Sequence, residues 1–379
     1  MINSIHNIKL GILGGGQLGR MLVKAGSDYG LAIKAIDSDG EAPIKKFIQD
    51  FTQGSIIDYD QVVQFGKDCS VLTIEIENVN TEALFYLEKQ GVKVYPQPAV
   101  IELIKDKSKQ KQFYKEHNIP TAPFQIVQNK AEVEALAHKL PFVNKLACEG
   151  YDGRGVQVMK TASDFDKAFD TIGIIEDLIP FEKEISVIVA RNTGGEIKTF
   201  PAVELVFHPE HNLVEYLFAP AEISNEIEQK AKEIAINVIK KLNMVGLLAV
   251  ELFVTKEGDV LVNEVAPRPH NSGHQTIEAN ITSQYEQHLR AILGLPLGAT
   301  DALISSAMVN LLGEEGYTGV AIYQGLEEVM KEPGVHVHLY GKAQTRPYRK
   351  MGHITITDAN PQELKRKANF VKNTLKVIA

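Results

Sequence analysis

Cysteine is scarce in this chain. Its 379 residues include two, Cys69 and Cys148. Two cysteines make neither a disulfide framework nor a cysteine-rich zinc site, and free thiols fit a reducing cytoplasm. Long apolar runs are missing as well: no stretch reaches the roughly 18 residues that a membrane span needs. The opening MINSIHNIKLGILGGGQ lacks a long apolar core with a small-residue cleavage site, so no secretory leader is expected. Excess positive charge is also absent. Forty Lys and Arg against 48 Asp and Glu leave a formal charge of −8, a poor basis for broad nucleic-acid binding. Local anion sites remain compatible with it. There is no repeat period and no low-complexity tract, so a repeat array is not expected.

What is present is an ordinary folded composition, 44% apolar and 23% charged. At about 150 residues per domain, the length suggests two or three domains. The first hundred residues alternate strands (8–13, 32–37, 71–77, 92–96) with helices (Gln17–Tyr29, Thr81–Lys89). That pattern argues a parallel sheet covered by helices. Pro96 and Pro98 mark a boundary, and a helical stretch over Ala99–His117 leads into a second unit. There short strands and hairpins dominate, with one strong amphipathic helix over Ser224–Leu242 and Ser224 as its N-cap. Few crossover helices suggest an antiparallel α+β unit. After LGLPLG (293–298) a smaller mixed unit follows, ending in a helix over Pro361–Ile378.

Four motifs carry chemistry. Gly14-Gly15-Gly16-Gln17-Leu18-Gly19 follows a strand, opens a helix and precedes Asp37 at the end of the next strand. That is the dinucleotide-binding pattern in context, and a related fold using the same loop otherwise is its equal rival. Second, Glu251 and Glu264 fall opposite each other if Glu257-Gly258 is a two-residue hairpin loop. Two facing carboxylates among apolar neighbours repel unless a cation lies between them, and oxygen ligands suit Mg²⁺. Third, Lys145 precedes Gly150-Tyr151-Asp152-Gly153-Arg154-Gly155, a flexible turn able to fold over phosphates. Fourth, Arg268, His270 and Asn271 follow Glu264 directly and suit an oxyanion. A basic cluster with Lys342, Arg346, Arg349 and Lys350 could clamp a phosphate monoester.

In this order, GGGQLGRM, EIENV, GYDGRG, VNEVAPRPHNSGH and YRKMGH resemble the ATP-grasp superfamily, and within it the 5-(carboxyamino)imidazole ribonucleotide synthase family. The resemblance covers nearly the whole chain. It implies an ATP-grasp fold of α/β and α+β type in three units: an N-terminal Rossmann-like pre-ATP-grasp domain (1–98), an ATP-grasp body (99–298) with a mobile lid over about 120–182, and a small C-terminal domain (299–379). It implies ATP- and bicarbonate-dependent carboxylation of 5-aminoimidazole ribonucleotide in purine biosynthesis, with Mg²⁺, in a cytoplasmic homodimer. Carried over residue by residue, Lys107, Lys145, Gly150–Gly155, Glu176, Ile179 and Glu184 meet the nucleotide, and Glu251 and Glu264 hold the metal. Gln17, Leu18, Glu75, Tyr151, Asp152, Arg154, Lys342 and Arg349 line the ribonucleotide pocket. Arg268, His270 and Asn271 serve the bicarbonate and carboxyphosphate end, and Lys342, near the ribonucleotide phosphate, is counted with them as catalytic. The glycine loop is thereby reassigned from a dinucleotide to the ribonucleotide region. Ala266 stands where some superfamily members carry an asparagine ligand, so only two carboxylates are named for the metal. The rivals are a formate-dependent glycinamide ribonucleotide transformylase and, from another class, a nicotinamide-dependent oxidoreductase.

Overall fold

The computed structural model describes residues 5–148, 150, 155–207 and 214–379. The N-terminal unit is a parallel sheet of β1 (Lys9–Leu13), β2 (Ala32–Asp37), β3 (Asp50–Gln53), β4 (Val71–Ile74) and β5 (Lys93–Val94), in the order β3-β2-β1-β4-β5. Helices α1 (Gln17–Ser27), α2 (Tyr59–Gly66) and α3 (Thr81–Lys89) alternate with the strands. Leu10, Ile12, Leu13 and Leu72 are completely buried, as expected of strands covered on both faces. Two strands are shorter than their apolar patterns suggest. β4 stops at Ile74, and β5 keeps two residues before Pro96, which has no amide for a ladder.

The helical stretch expected over Ala99–His117 is two helices, α4 (Pro98–Lys105) and α5 (Lys107–Glu116). Asp106 breaks it by capping α5, accepting from the amides of Ser108 and Lys109. The break matters for the site, because the amide of Lys107 then donates to the Ala147 carbonyl at 2.7 Å, at the base of the glycine-rich loop.

A four-stranded antiparallel sheet comes next: β6 (Phe124–Val127), β7 (Phe142–Leu146), β8 (Val156–Met159) and β9 (Gly173–Asp177), ordered β6-β9-β7-β8, with helix α6 (Lys130–Ala135) against it. The body follows as β10 (Phe181–Arg191), β11 (Ile197–Thr199), β12 (Val203–Phe207), β13 (Val214–Ala219), β14 (Gly246–Thr255) and β15 (Val260–Ala266). Helix α7 (Asn225–Lys241) covers it, with Ser224 accepting from the Ile227 amide and Ala231, Ala235, Val238 and Ile239 buried. The short α8 (Thr276–Ala279) and α9 (Gln284–Ile292) close this part.

The C-terminal segment adds β16 (Ser306–Leu312), β17 (Gly319–Val320), β18 (Ile322–Gln324), α10 (Leu326–Val329), β19 (Val335–Leu339), β20 (Gln344–Thr345), β21 (Lys350–Thr357), α11 (Pro361–Thr374) and β22 (Lys376–Ile378). It is not a sheet apart. β16 pairs antiparallel with β13, so one sheet runs β15-β14-β10-β12-β13-β16-β21-β19 through body and C-terminal segment, with β11 on β10.

Buried histidines stitch these parts together. His288 on α9 bonds Thr73 on β4 through Nε2 at 2.8 Å. His274 meets the Tyr285 hydroxyl at 2.9 Å, and its ring lies 4.5 Å from that of His353 on β21. Burial pushes His274 and His288 down to about 3. The unfolded chain takes up a proton on each below about pH 6.5, whereas the folded chain does so only near 3. Stability is therefore lost as pH falls through that window, by roughly 1.4 kcal/mol per pH unit per histidine. Between pH 7 and 5 we expect a loss of roughly 2 kcal/mol for each. Urea unfolding at the two pH values checks this: His288→Gln should remove one such share, and an unchanged pH dependence in that variant contradicts the assignment.

Candidate active site

The glycine loop after β1 is already filled by the chain's own carboxylates. The amides of Gly16 and Gly19, at the first turn of α1, donate to the two oxygens of Glu75 at 2.5 and 2.6 Å. The Gly15 amide donates to Asp37 at 2.6 Å. A helix N-terminus favours an anion, and here the anion is internal. The fit is close: a Cβ at Gly16 would lie 2.4 Å from Glu75 Oε1, and Gly14 has φ +102°. Asp37 is thus bound to the loop, the residue that a dinucleotide site would need for ribose hydroxyls. The glycine pattern is satisfied without a pyrophosphate.

Glu251 on β14 and Glu264 on β15 do face each other. The expected route to that register was wrong in two places that cancel. The turn has three residues, Lys256-Glu257-Gly258, with Gly258 at φ +83° and the Thr255 amide donating to the Asp259 carbonyl at 2.9 Å. Lys256 does not face Asp259; Thr255 does. The ladder then runs one residue off the expected register, Leu252 opposite Val262, until a bulge at Asn263 restores Glu251 opposite Glu264. A bulged residue escapes strict alternation. Asn263 consequently points to the same side as its neighbour, with Nδ2 donating to Glu184 at 3.2 Å and Oδ1 accepting from Lys145 at 3.1 Å.

Around that bulge the structure assembles a chain of charges. Lys145 on β7 is 2.7 Å from one oxygen of Glu176 on β9, and Lys111 on α5 is 2.6 Å from the other. Lys107 is 3.2 Å from Glu264. Crowding disfavours charge on all these carboxyls, but the lysines decide which stay ionised. Burial would raise Glu264, yet Lys107 and Lys145 outweigh it and hold it below its ordinary value. Lys145 and Lys111 do the same for Glu176. Among the described residues no lysine forms such an ion pair with Glu251. Burial, then Glu184 and Glu264, push it up. Glu184 is also raised, by burial against the hydrogen bond from Asn263. Burial pushes Lys111 down to about 8.

His270 sits beside this pair, its Nε2 3.6 Å from Glu251 Oε1. Its Nδ1 accepts from the Ser272 amide and lies 2.9 Å from the Ser272 hydroxyl, itself 2.8 Å from the Ser186 hydroxyl. That contact assigns the proton to Nε2. Burial, and then Arg268, hold the ring well below its ordinary pKa, so it is neutral and presents an N–H towards Glu251. The Nε of Arg268 is 2.9 Å from Glu77, just past the end of β4.

Other expected site residues are placed less directly. Asn271 exchanges hydrogen bonds with Asn310 on β16 at 2.8 and 3.0 Å, so its amide clasps body to C-terminal segment. Leu18 turns its side chain into the core, leaving its backbone to meet any ligand, while Gln17 at the start of α1 is half-buried. Lys342 donates to the Lys350 carbonyl at 2.8 Å, and Arg349 turns onto the Gln344 carbonyl at 2.7 Å. Arg20 on α1 donates to the Leu339 carbonyl and thereby holds this basic loop against the glycine-loop helix. Ile179 is half-buried just beyond β9, and Gly155 has φ +81° at the start of β8. Tyr151, Asp152, Gly153 and Arg154, with Glu149, lie outside the described residues.

Reading the sequence missed Asn263, Lys111 and Glu77. Asn263 adjoins Glu264, but alternation along a strand sends it to the opposite face, and only the bulge reverses that. Lys111 lies in a lysine-rich helix whose pattern reads as solvated surface. Glu77 had a signal, as the second carboxylate of EIEN.

Comparison with known proteins follows the same three parts. Residues 7–105 match the ribonucleotide synthetase preATP-grasp domain, 112–285 the ATP-grasp domain, and 306–367 the phosphoribosylaminoimidazole carboxylase C-terminal domain. The N5-carboxyaminoimidazole ribonucleotide synthase of Bacillus subtilis is 37% identical over 92% of this chain and 90% of its own length. The phosphoribosylaminoimidazole carboxylase of Ogataea methanolica is 37% identical over 96% of this chain, which spans 69% of that longer protein. The crystal structure of N5-carboxyaminoimidazole ribonucleotide synthetase from Thermotoga maritima superposes with a TM-score of 0.91 at 39% identity, covering 98% of this chain and 99% of that one. The Aspergillus clavatus synthase, crystallised with ADP and 5-aminoimidazole ribonucleotide, gives 0.88 at 31% identity, covering 98% and 100%.

Proposed function

The chain belongs to the N5-carboxyaminoimidazole ribonucleotide synthase family of ATP-grasp enzymes, and from that premise we propose that it carboxylates 5-aminoimidazole ribonucleotide with ATP and bicarbonate in purine biosynthesis. The observation that carries this reading is the facing pair Glu251 and Glu264, contiguous with the chain Glu176, Lys145, Asn263 and Glu184. A divalent hard cation fits the pair. Its donors are oxygens on neighbouring strands, and among the described residues no cluster of three His, Cys, Asp or Glu encloses a metal without substrate. Mg²⁺ characteristically leaves part of its shell to phosphate oxygens and water. Glu251 and Glu264 would hold it, and when bound it would neutralise phosphate charge.

The protein's own groups then position the reactants. Lys145 offers an ammonium to the phosphates, and Glu184 offers a carboxylate to the ribose hydroxyls. In the proposed sequence an oxygen of bicarbonate attacks the γ-phosphorus, the bond to the ADP oxygen breaks, and carboxyphosphate forms. Its C–O bond then cleaves to give CO₂ and phosphate. The exocyclic amine of the ribonucleotide bonds to the carbon of CO₂ and passes a proton to the phosphate just released. Arg268, steadied by Glu77, and the Nε2–H of neutral His270 are donors suited to the oxyanions of this intermediate. Because His270 already carries its proton on Nε2, its part at that nitrogen is donation. The glycine-rich segment 150–155 would exclude water while carboxyphosphate exists. The reading includes a cytoplasmic homodimer, as membership of this family implies.

ADP release by the purified protein tests the proposal. Turnover should require bicarbonate and aminoimidazole ribonucleotide together with MgATP, and omitting any one should reduce it to background. Turnover with formate and glycinamide ribonucleotide instead would replace this reading by the transformylase.

A further inference from the structure

Lys111 lies behind the phosphate lysine and has no path to a ligand. It is 2% exposed. Its ammonium is 2.6 Å from Glu176 Oε1 and 2.5 Å from the Thr121 hydroxyl. That hydroxyl donates to the Val262 carbonyl at 2.7 Å, the residue before the bulged Asn263. Glu176 Oε2 and Asn263 Oδ1 both contact Lys145. The contacts close a ring through four elements: Lys111 on α5, Glu176 on β9, Lys145 on β7, and Val262–Asn263 on β15, joined by Thr121.

The charge count within the ring decides what it does. A buried carboxylate 2.7 Å from a single lysine would pair with it, and that pair would have no net charge to offer a polyphosphate. Two lysines on one carboxylate leave the group at +1. The excess is felt at Lys145, which at 8% exposure is the less enclosed of the two, Lys111 being 2% exposed. Low dielectric makes the difference large. Removing one partner of such a group also leaves the remaining charges poorly compensated.

We propose that Lys111 is a positioning residue that saturates Glu176 and so keeps Lys145 available, as a cation, to the phosphates of ATP. This rests on the nucleotide site proposed above. It also redefines Glu176: both carboxylate oxygens are taken by lysines, so contact with adenine from this position falls to the backbone.

Calorimetric titration of the full chain with MgADP, alongside steady-state kinetics, tests it. Wild-type protein that fails to bind MgADP would end the nucleotide reading itself, whatever Lys111 does. If wild type binds, Lys111→Met should weaken MgADP and raise KM for ATP by about tenfold, with kcat changed less than about threefold. Lys111→Arg should recover affinity to within about threefold of wild type. The decisive variant is Lys111→Met combined with Glu176→Gln, which removes the carboxylate that would otherwise capture Lys145. It should bind MgADP clearly more tightly than Lys111→Met alone. It also removes an uncompensated buried charge, so it remains informative if the single Met variant does not fold. Wild-type affinity in Lys111→Met, or loss in the folded double variant as large as in the single one, overturns the proposal.

Discussion

Exchange of Glu264 for glutamine is expected to lower ATP turnover by at least about 10³-fold, with little loss of folded structure. Glutamine keeps the volume and one acceptor but removes the charge. Of the facing pair, Glu264 is the member held ionised, by Lys107 at 3.2 Å and by Lys145, whereas Glu251 is pushed towards its neutral form. The variant therefore removes the carboxylate most ready to hold a divalent cation. It also leaves Lys107 without its anion. Both changes act on the phosphate end of the site, so ADP release at saturating Mg²⁺ is the measurement, with circular dichroism as the control for folding. Turnover within tenfold of wild type would remove Glu264 from the metal site.

Glu75→Ala is expected to cost stability as well as activity, roughly 3 kcal/mol of unfolding free energy. Its carboxylate takes the amides of Gly16 and Gly19, and alanine leaves both donors without it inside a buried turn. Each unsatisfied buried donor costs about 1–3 kcal/mol. Glutamine should fall between, because its amide group offers one acceptor oxygen and an N–H₂ that meets a second donor. Urea unfolding of the three proteins distinguishes these cases. An alanine variant within about 0.5 kcal/mol of wild type would mean that the loop is not closed by Glu75. The reciprocal change leads to the same place: Gly16→Ala would put a methyl against Glu75 Oε1.

These two sites show how far local pattern reaches. Strand, glycine turn and helix were legible around Gly14–Gly19, because turn residues and periodicity act over a few neighbours. The cap at Ser224 and the buried stripe of α7 were legible for the same reason. What the turn binds was not, since Glu75 arrives from just past the end of β4, 59 residues away. The carboxylate pair was legible in outcome but not in path. A hairpin register counted from a two-residue loop is off by one, and the bulge at Asn263 returns it. A bulge depends on packing around the strand, here the bonds of Asn263 to Lys145 and Glu184, and no period in the sequence announces it. The C-terminal segment reads as a separate small unit from its own strands. Its pairing to β13 depends on edges meeting in space.

By itself, the sequence determined the kinds of elements, the order of the motifs and the residue types able to handle anions, because these follow from short-range spacing and side-chain chemistry. Tertiary structure decided which charges meet. It turned Glu75 onto the glycine loop, set two lysines on Glu176, gave Lys107 to Glu264 but not to Glu251, and fixed the proton of His270 on Nε2 through Ser272. The reason is physical: the strength of a charge depends on its distance from other charges and from water, and both are properties of the folded cleft.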